Sequence, residues 1–247
     1  MIIHPERRRG NVADAFATGL PMNAPPLFAF RLGMLLFALL LGLYSVWLLL
    51  AELSRPGIDR LPTDAVAAAV AAKQRGDATW AAYIGAIRGD LWAESAFTYA
   101  DLLWSPAGAD RDHTQALEQA LIRLDRTLEH APLQSGAWLL LAGLASHYSL
   151  PDVRALEALK MSYYTGSNEQ DLASLRLRIA AHFQDLSDGE LQRSVGHDLR
   201  LLLARHQNGA VVEAYADASP VGKRLIETTV RGIDPSVLKS LHLVLPD

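Results

Sequence analysis

Apolar positions fall into two regimes along this chain. From Leu32 to Ala51 the sequence reads LGMLLFALLLGLYSVWLLLA, 20 residues without a charge. At about 1.5 Å per residue, that length matches the roughly 30 Å hydrocarbon core of a bilayer. Tyr44 and Trp47 lie toward its distal end, where amphipathic rings favour the interface. A buried soluble helix is seldom this apolar all round. A cleaved signal has a shorter apolar stretch and a small-x-small site, for which Leu49-Leu50-Ala51 is a poor match. The pattern predicts a retained transmembrane helix over residues 27–51, with the lipid bilayer as its partner.

After residue 62 the pattern changes to helical periodicity broken by Gly, Pro and Asp. Residues 54–62, SRPGIDRLP, read as part of a short linker over 52–62. Thr63 and Asp64 cap DAVAAAVAAKQR. Two Arg-Gly-Asp triplets follow, at Arg75-Gly76-Asp77 and Arg88-Gly89-Asp90, with starts 13 residues apart. An adhesion tag is one reading of them. We read each as a helix boundary: Arg in a last turn, Gly left-handed at C′, Asp as the next N-cap. Further helices are expected over Asp90–Trp104, Thr114–His130, Gly136–Ser149, Asp152–Tyr164, Glu169–Gln184, Asp188–Gln207, Ala210–Ala216, Val221–Arg231 and Pro235–Leu243. Residues 105–113 form a loop, and Ser167 and Gln170 have capping-box spacing. No convincing alternating strand pattern is present. Residues 1–26 read as a disordered tail.

Composition agrees with helix: Ala, Leu and Arg are abundant and aromatics make up 7%. With no cysteine, disulfides, thiol catalysis and cysteine-ligated metals are excluded. The net charge of −4 argues against a broad nucleic-acid surface. Residues 52–247 hold 19 Lys+Arg and 25 Asp+Glu (−6), leaving +2 for residues 1–51. Arg7, Arg8, Arg9 and Arg31 precede the apolar helix, while only Arg55 and Arg60 lie in the 20 residues after Ala51. The basic side stays cytoplasmic, so residues 63–247 are expected outside the membrane. The Ala/Leu/Arg-rich style points to a bacterial inner membrane and the periplasm.

The spacing of the helices resembles a degenerate tetratricopeptide array over residues 63–206. Pro132 precedes Trp138 by six residues, and Leu141, Ala142 and Ala145 occupy first-helix positions. Ala155, Leu159 and Ser162 fit the second helix with one insertion. In the preceding unit, Trp92, Ala96 and Tyr99 match the first helix, and Ala120, Leu124, Thr127 and Pro132 the second. There the gap between helices is 12 residues too long. The segment LEALKMSYYTGSNE after such a hairpin is also similar to membrane-anchored helical accessory proteins of bacterial envelope polysaccharide gene clusters. That resemblance implies an accessory role in making or exporting a surface polysaccharide.

The fold class expected is therefore all-α: one N-terminal transmembrane helix, then a tetratricopeptide-like stack of antiparallel hairpins. Eight histidines include no HExxH or other i, i+4 metal pair. His197 and Asp198 are placed near a helix start and His206 near its end. Trp80, Trp92, Trp104 and Trp138 are spaced as hairpin core residues, with a sugar-stacking platform as the alternative. No nucleophile elbow or phosphate loop occurs. We nominate no catalytic, cofactor-binding or metal-ligating residue, and no cofactor is implied. The reading is a non-catalytic scaffold that engages other envelope or inner-membrane proteins, including a polysaccharide assembly machinery. The alternative is an envelope enzyme or carbohydrate-binding module, and a third is a subunit whose membrane helix packs in a larger complex.

Overall fold

The computed structural model describes residues 27–105, 111–150, 155–233 and 239. Among them every regular element is helical and none is a strand. The chain divides into two compact units, residues 1–46 and 47–247. Helix α1 (Leu27–Leu53) contains an apolar stretch, Ala29–Leu53, of 25 residues with mean hydropathy 2.4. This is the one helix among the described residues long and apolar enough to cross a membrane. From Phe30 to Leu43 its described leucines and phenylalanines are exposed, as a lipid-facing surface requires and a soluble core does not. The tail over 1–26 and the helix expected at 235–243 lie outside the described residues, apart from Lys239.

In the second unit, residues 54–62 are packed rather than extended free. Leu61 is buried and Ile58 leans on the same core. Gly57 supplies the turn there with φ +74°, a left-handed dihedral that glycine adopts cheaply. Asp64 then starts α2 (Ala65–Lys73), its carboxylate accepting the Ala67 amide at 2.8 Å. This is the expected cap, satisfying an amide that the helix leaves without a partner.

The helices that follow are α3 (Arg75–Ile84), α4 (Gly89–Phe97), α5 (Arg111–His130) and α6 (Ser135–His147). Next are α7 (Ala155–Thr165), α8 (Ala173–His182), α9 (Gly189–Ala204), α10 (Asn208–Ala216) and α11 (Pro220–Ile233). A 3-10 turn at Ala100–Leu103 extends α4, and another at Gln170–Leu172 leads into α8. Successive helices pair as α4/α5, α6/α7 and α8/α9, while α4, α6, α8 and α10 contact one another in order. Their shared core includes Leu124, Leu139, Leu140, Leu144, Leu159, Leu177, Leu199 and Leu202. The residues carrying the repeat resemblance are mostly inside: Trp92, Ala96, Tyr99, Ala120, Leu124, Thr127, Ala142, Ala145, Leu159 and Ser162 are buried.

The Arg-Gly-Asp triplets do mark boundaries, but each begins a helix instead of straddling two. Arg75, Gly76 and Asp77 form the first turn of α3, after α2 has ended at Gln74. Arg88 is the N-cap of α4, and Gly89 and Asp90 are its first residues. Neither glycine has a positive φ, and neither Asp is an N-cap; each acid instead favours the positive pole from within the first turn. Gly89 is constrained by space. A Cβ there would lie 2.6 Å from the Ala131 Cβ, whereas one on Gly76 would meet nothing within 4 Å.

Other boundaries also move. Helix α5 already includes Asp112 and His113, which the sequence placed in a loop. The helix expected at Glu169 is a 3-10 turn first, and no side-chain cap forms there. His197 and Asp198 sit in the middle of α9, because Asp188 caps it ten residues earlier through the Glu190 and Leu191 amides. His206 (φ +57°) and Ser149 (φ +51°) end α9 and α6 in left-handed backbone. The amides of Gln207 and Leu150 reach back to the carbonyls of Leu202 and Ala145, the Schellman closure. His206 thus caps through its main chain.

Candidate functional site

Among the described residues of the second unit, one hollow of about 930 Å³ lies between residues 58–64, α2 and the 168–172 turn. Asp64, Glu169 and Asp171 stand at its edge, and Arg60 pairs with Asp171 across it at 2.5 Å. Both partners are well exposed, so water screens the pair and its energetic weight is small.

Two further hollows, about 330 and 410 Å³, adjoin one another and share Trp104, Leu175, Arg178 and Asp217. Each side chain is delivered by a helix end or by the row α6, α8, α10. Trp104 follows the 3-10 turn after α4 and is half-buried. The Arg178 guanidinium lies 5.5 Å from its ring centre, within cation–π range. Arg178 also pairs with Asp217 at 3.3 Å, just beyond α10. His147 ends α6 and bonds the Ser105 carbonyl at 2.8 Å; His182 ends α8 and bonds the Arg178 carbonyl at 2.8 Å. These bonds orient both imidazoles and leave each a second nitrogen for a ligand. Gly143 lines the floor, where a Cβ would lie 2.7 Å from Leu103 and 2.9 Å from Ile179. The surface is thus an aromatic face ringed by a cation, an acid and two imidazoles, with an apolar floor.

Sequence spacing put Trp80, Trp92, Trp104 and Trp138 in the core. Only Trp92 is fully buried there, at 6%. Trp138 packs partly, Trp104 lines the groove, and Trp80 is 62% exposed. Both buried-side indoles make the same bond: Trp92 Nε1 donates to the Ala86 carbonyl at 2.9 Å and Trp138 Nε1 to the Pro132 carbonyl at 2.8 Å. Each reaches six residues back, from the fourth residue of its helix. Arg178, His182 and Asp217 were not singled out, and no local signal marks them, since they meet Trp104 only through the fold.

A second polar centre is buried behind this row. Arg176 on α8 donates to the carbonyls of Ser162 and Gly166 at 2.7 and 2.8 Å and to the Ser162 hydroxyl at 3.1 Å. Its guanidinium lies 4.9 Å from the Tyr163 ring centre. Asp198 on α9 faces the same region; burial pushes its carboxyl up to about 6, against the opposing pull of Tyr163 and Arg176. Burial likewise holds the Tyr163 hydroxyl well above its ordinary range. Asp198 Oδ2, the Tyr163 hydroxyl and the Ser135 hydroxyl make no hydrogen bond among the described residues. These groups sit inside the helix packing, so their first role is to fix how α7, α8 and α9 meet.

Near the start of the unit, Arg55 bonds Glu94, Glu52 and Asp59, while Arg88 joins Glu52 and Asp90. Burial raises the Glu94 carboxyl above its ordinary range, with Arg55 pulling the other way. Among the described residues no three His, Cys, Asp or Glu stand close enough together to hold a metal ion. No known protein family, curated protein or solved structure matches this chain.

Proposed function

We propose that this chain is a single-pass protein of a bacterial inner membrane, anchored through residues 27–51, with its N-terminus cytoplasmic and residues 63–247 periplasmic. Its helices form a tetratricopeptide-like stack that acts as a non-catalytic scaffold for envelope proteins, accessory to surface polysaccharide synthesis or export. The observation that carries the reading is the order of neighbours. Hairpins α4/α5, α6/α7 and α8/α9 place α4, α6, α8 and α10 side by side, and the groove opens along that row. A row of first helices is the surface on which helical-repeat proteins seat partners. Tethering to a membrane raises the local concentration of other membrane proteins, so modest affinity suffices.

The test is photo-crosslinking in native membranes with the full chain. A photoreactive residue at Ser146, in the groove, should capture a defined envelope protein, and Arg178→Glu should abolish capture. The same residue at Arg126 on α5 should capture nothing. Equal labelling at both positions, or none at Ser146 with the protein still resistant to carbonate extraction, would count against the scaffold. Trp104 with Arg178 favours a second reading, in which the groove stacks a sugar ring. Calorimetric titration with acidic and neutral oligosaccharides separates the two: saturable heat lost in Trp104→Ala supports the sugar.

A further inference from the structure

Helix α3 is inside out. Its buried residues are the small ones, Ala78, Ala81 and Ala82, and Gly85 beyond its end is buried too. Its two aromatic residues face solvent, Trp80 at 62% and Tyr83 at 59%, while Ile84 packs against the buried cluster; Ile87, in the turn after the helix, is 68% exposed. Positions 80 and 83 are three apart and share one face of α3, and Ile87 follows in the turn that leaves the helix. Burying three large apolar side chains is worth about 1.5–3 kcal/mol each. A free surface helix has no reason to hold them outward while alanines face the core.

The position of α3 says what meets that face. Ala51, in the last turn of α1, is 1% exposed and clusters with Ala81, Ala82, Leu91 and Trp92. The apolar stretch Ala29–Leu53 spans 25 residues, about 37 Å at 1.5 Å per residue, against roughly 30 Å of hydrocarbon. Its final turn therefore emerges at headgroup depth, and α3 is held against that turn. Leu49, Leu50 and Leu53 are exposed there too, so the apolar surface continues from α1 toward α3. The exposed charges flanking the face, Lys73, Asp77 and Asp90, are of mixed sign, which gives no strong charge field. Trp and Tyr with a short aliphatic neighbour are the side chains that partition into the bilayer interface. Leu133 extends the face. It is 76% exposed in the turn before α6, and the contact of Gly89 with Ala131 brings that turn beside the start of α4.

We propose that Trp80, Tyr83 and Ile87 form a lipid-docking face that seats α3 in the interfacial layer of the bilayer crossed by α1. This rests on reading α1 as a membrane anchor. Insertion of the rings covers the exposed apolar surface.

The chain has no cysteine, so single-cysteine variants can be spin-labelled cleanly in the full-length protein. Labels at Trp80, Tyr83 and Ile87 are compared with one at Arg224 on α11 and one at Leu40 in α1, in phosphatidylcholine vesicles. The expected result is a several-fold higher oxygen-to-nickel-complex collision ratio at 80, 83 and 87 than at 224, unchanged by added salt. If 40 reads as lipid while 80, 83 and 87 match 224, the docking face is overturned and the anchor stands. If 40 itself reads as water, the anchor reading fails, and the docking face with it. Dipolar broadening at 80 or 83 that rises with protein density would show a second copy of the chain on this face and overturn lipid docking.

Discussion

Helices α3 and α6 solve the packing problem in opposite ways. Helix α6 contacts α4, α5, α7 and α8, and it buries Leu139, Leu140 and Leu144 among alanines and glycines. Helix α3 contacts α2 and α4 and buries alanine alone. Both are apolar in sequence. The difference is the number of sides on which a neighbour stands. A surrounded helix uses large side chains to fill space, and small ones where another backbone comes close. A helix at the edge of the stack can be held by small residues pressed against its neighbours, which frees its bulky residues for another medium.

That contrast can be broken at the α6 end most severely. Leu140→Ala should remove about 2–5 kcal/mol of stability, through lost burial and a cavity that surrounded helices cannot collapse. Denaturant unfolding in detergent, followed by circular dichroism, measures it. Next comes the boundary between the two regions. Gly89→Val forces a side chain into Ala131 and should cost about 1–3 kcal/mol by overpacking. If it costs nothing, α4 and α5 are not as close as described.

The buried acid behind α6 and α8 gives the third effect, and it depends on pH. The Asp198 carboxyl has a folded pKa of about 6 against an ordinary 3.8. The folded chain thus holds the proton more tightly than the unfolded one. The group favours folding below about pH 4, and this contribution is lost as pH rises to 6. Asp198→Asn should therefore lie close to the parent at pH 4 and exceed it by about 2–3 kcal/mol at pH 7. A stability difference that is the same at both pH values would contradict the burial of this carboxyl.

The smallest effects belong to α3. Gly76→Ala should stabilise by about 0.5–1 kcal/mol, since the backbone is helical and the site open. A loss instead would restore the left-handed assignment. Trp80→Ser should shift stability by no more than about 0.5 kcal/mol in detergent, although tryptophan is the bulkiest side chain in that helix.

Much of the helical punctuation was legible. Asp64 and Asp188 announce their helices because a carboxylate before an apolar run satisfies free amides. Pro220 opens α11, where a missing amide costs nothing. The triplets are legible as boundaries, yet the helix ends they suggest lie two to four residues from those observed. Glycine favours several end positions for different reasons, and only the Gly89–Ala131 contact tells which applies. The inward face of α3 was not legible, because alanine suits either side and a tryptophan is ordinarily assigned to the core. The groove was illegible for another reason. Trp104, His147, Arg178 and Asp217 meet only when α6, α8 and α10 align. The sequence reading places Asp198 near a helix start, whereas Asp198 lies within α9 and is buried facing Tyr163 and Arg176 on other helices.

The paired indole bonds have a practical consequence. The chain has five tryptophans, so its indole N–H protons give a five-line spectrum in which Trp92 and Trp138 are held by the carbonyls of Ala86 and Pro132. Each bond closes only when the turn before α4 or α6 is folded. Exchange of these two protons with solvent deuterium therefore times the opening of the two hairpins separately, within one sample. Equal rates would mean that the stack opens as a unit; unequal rates would rank its hairpins by local stability.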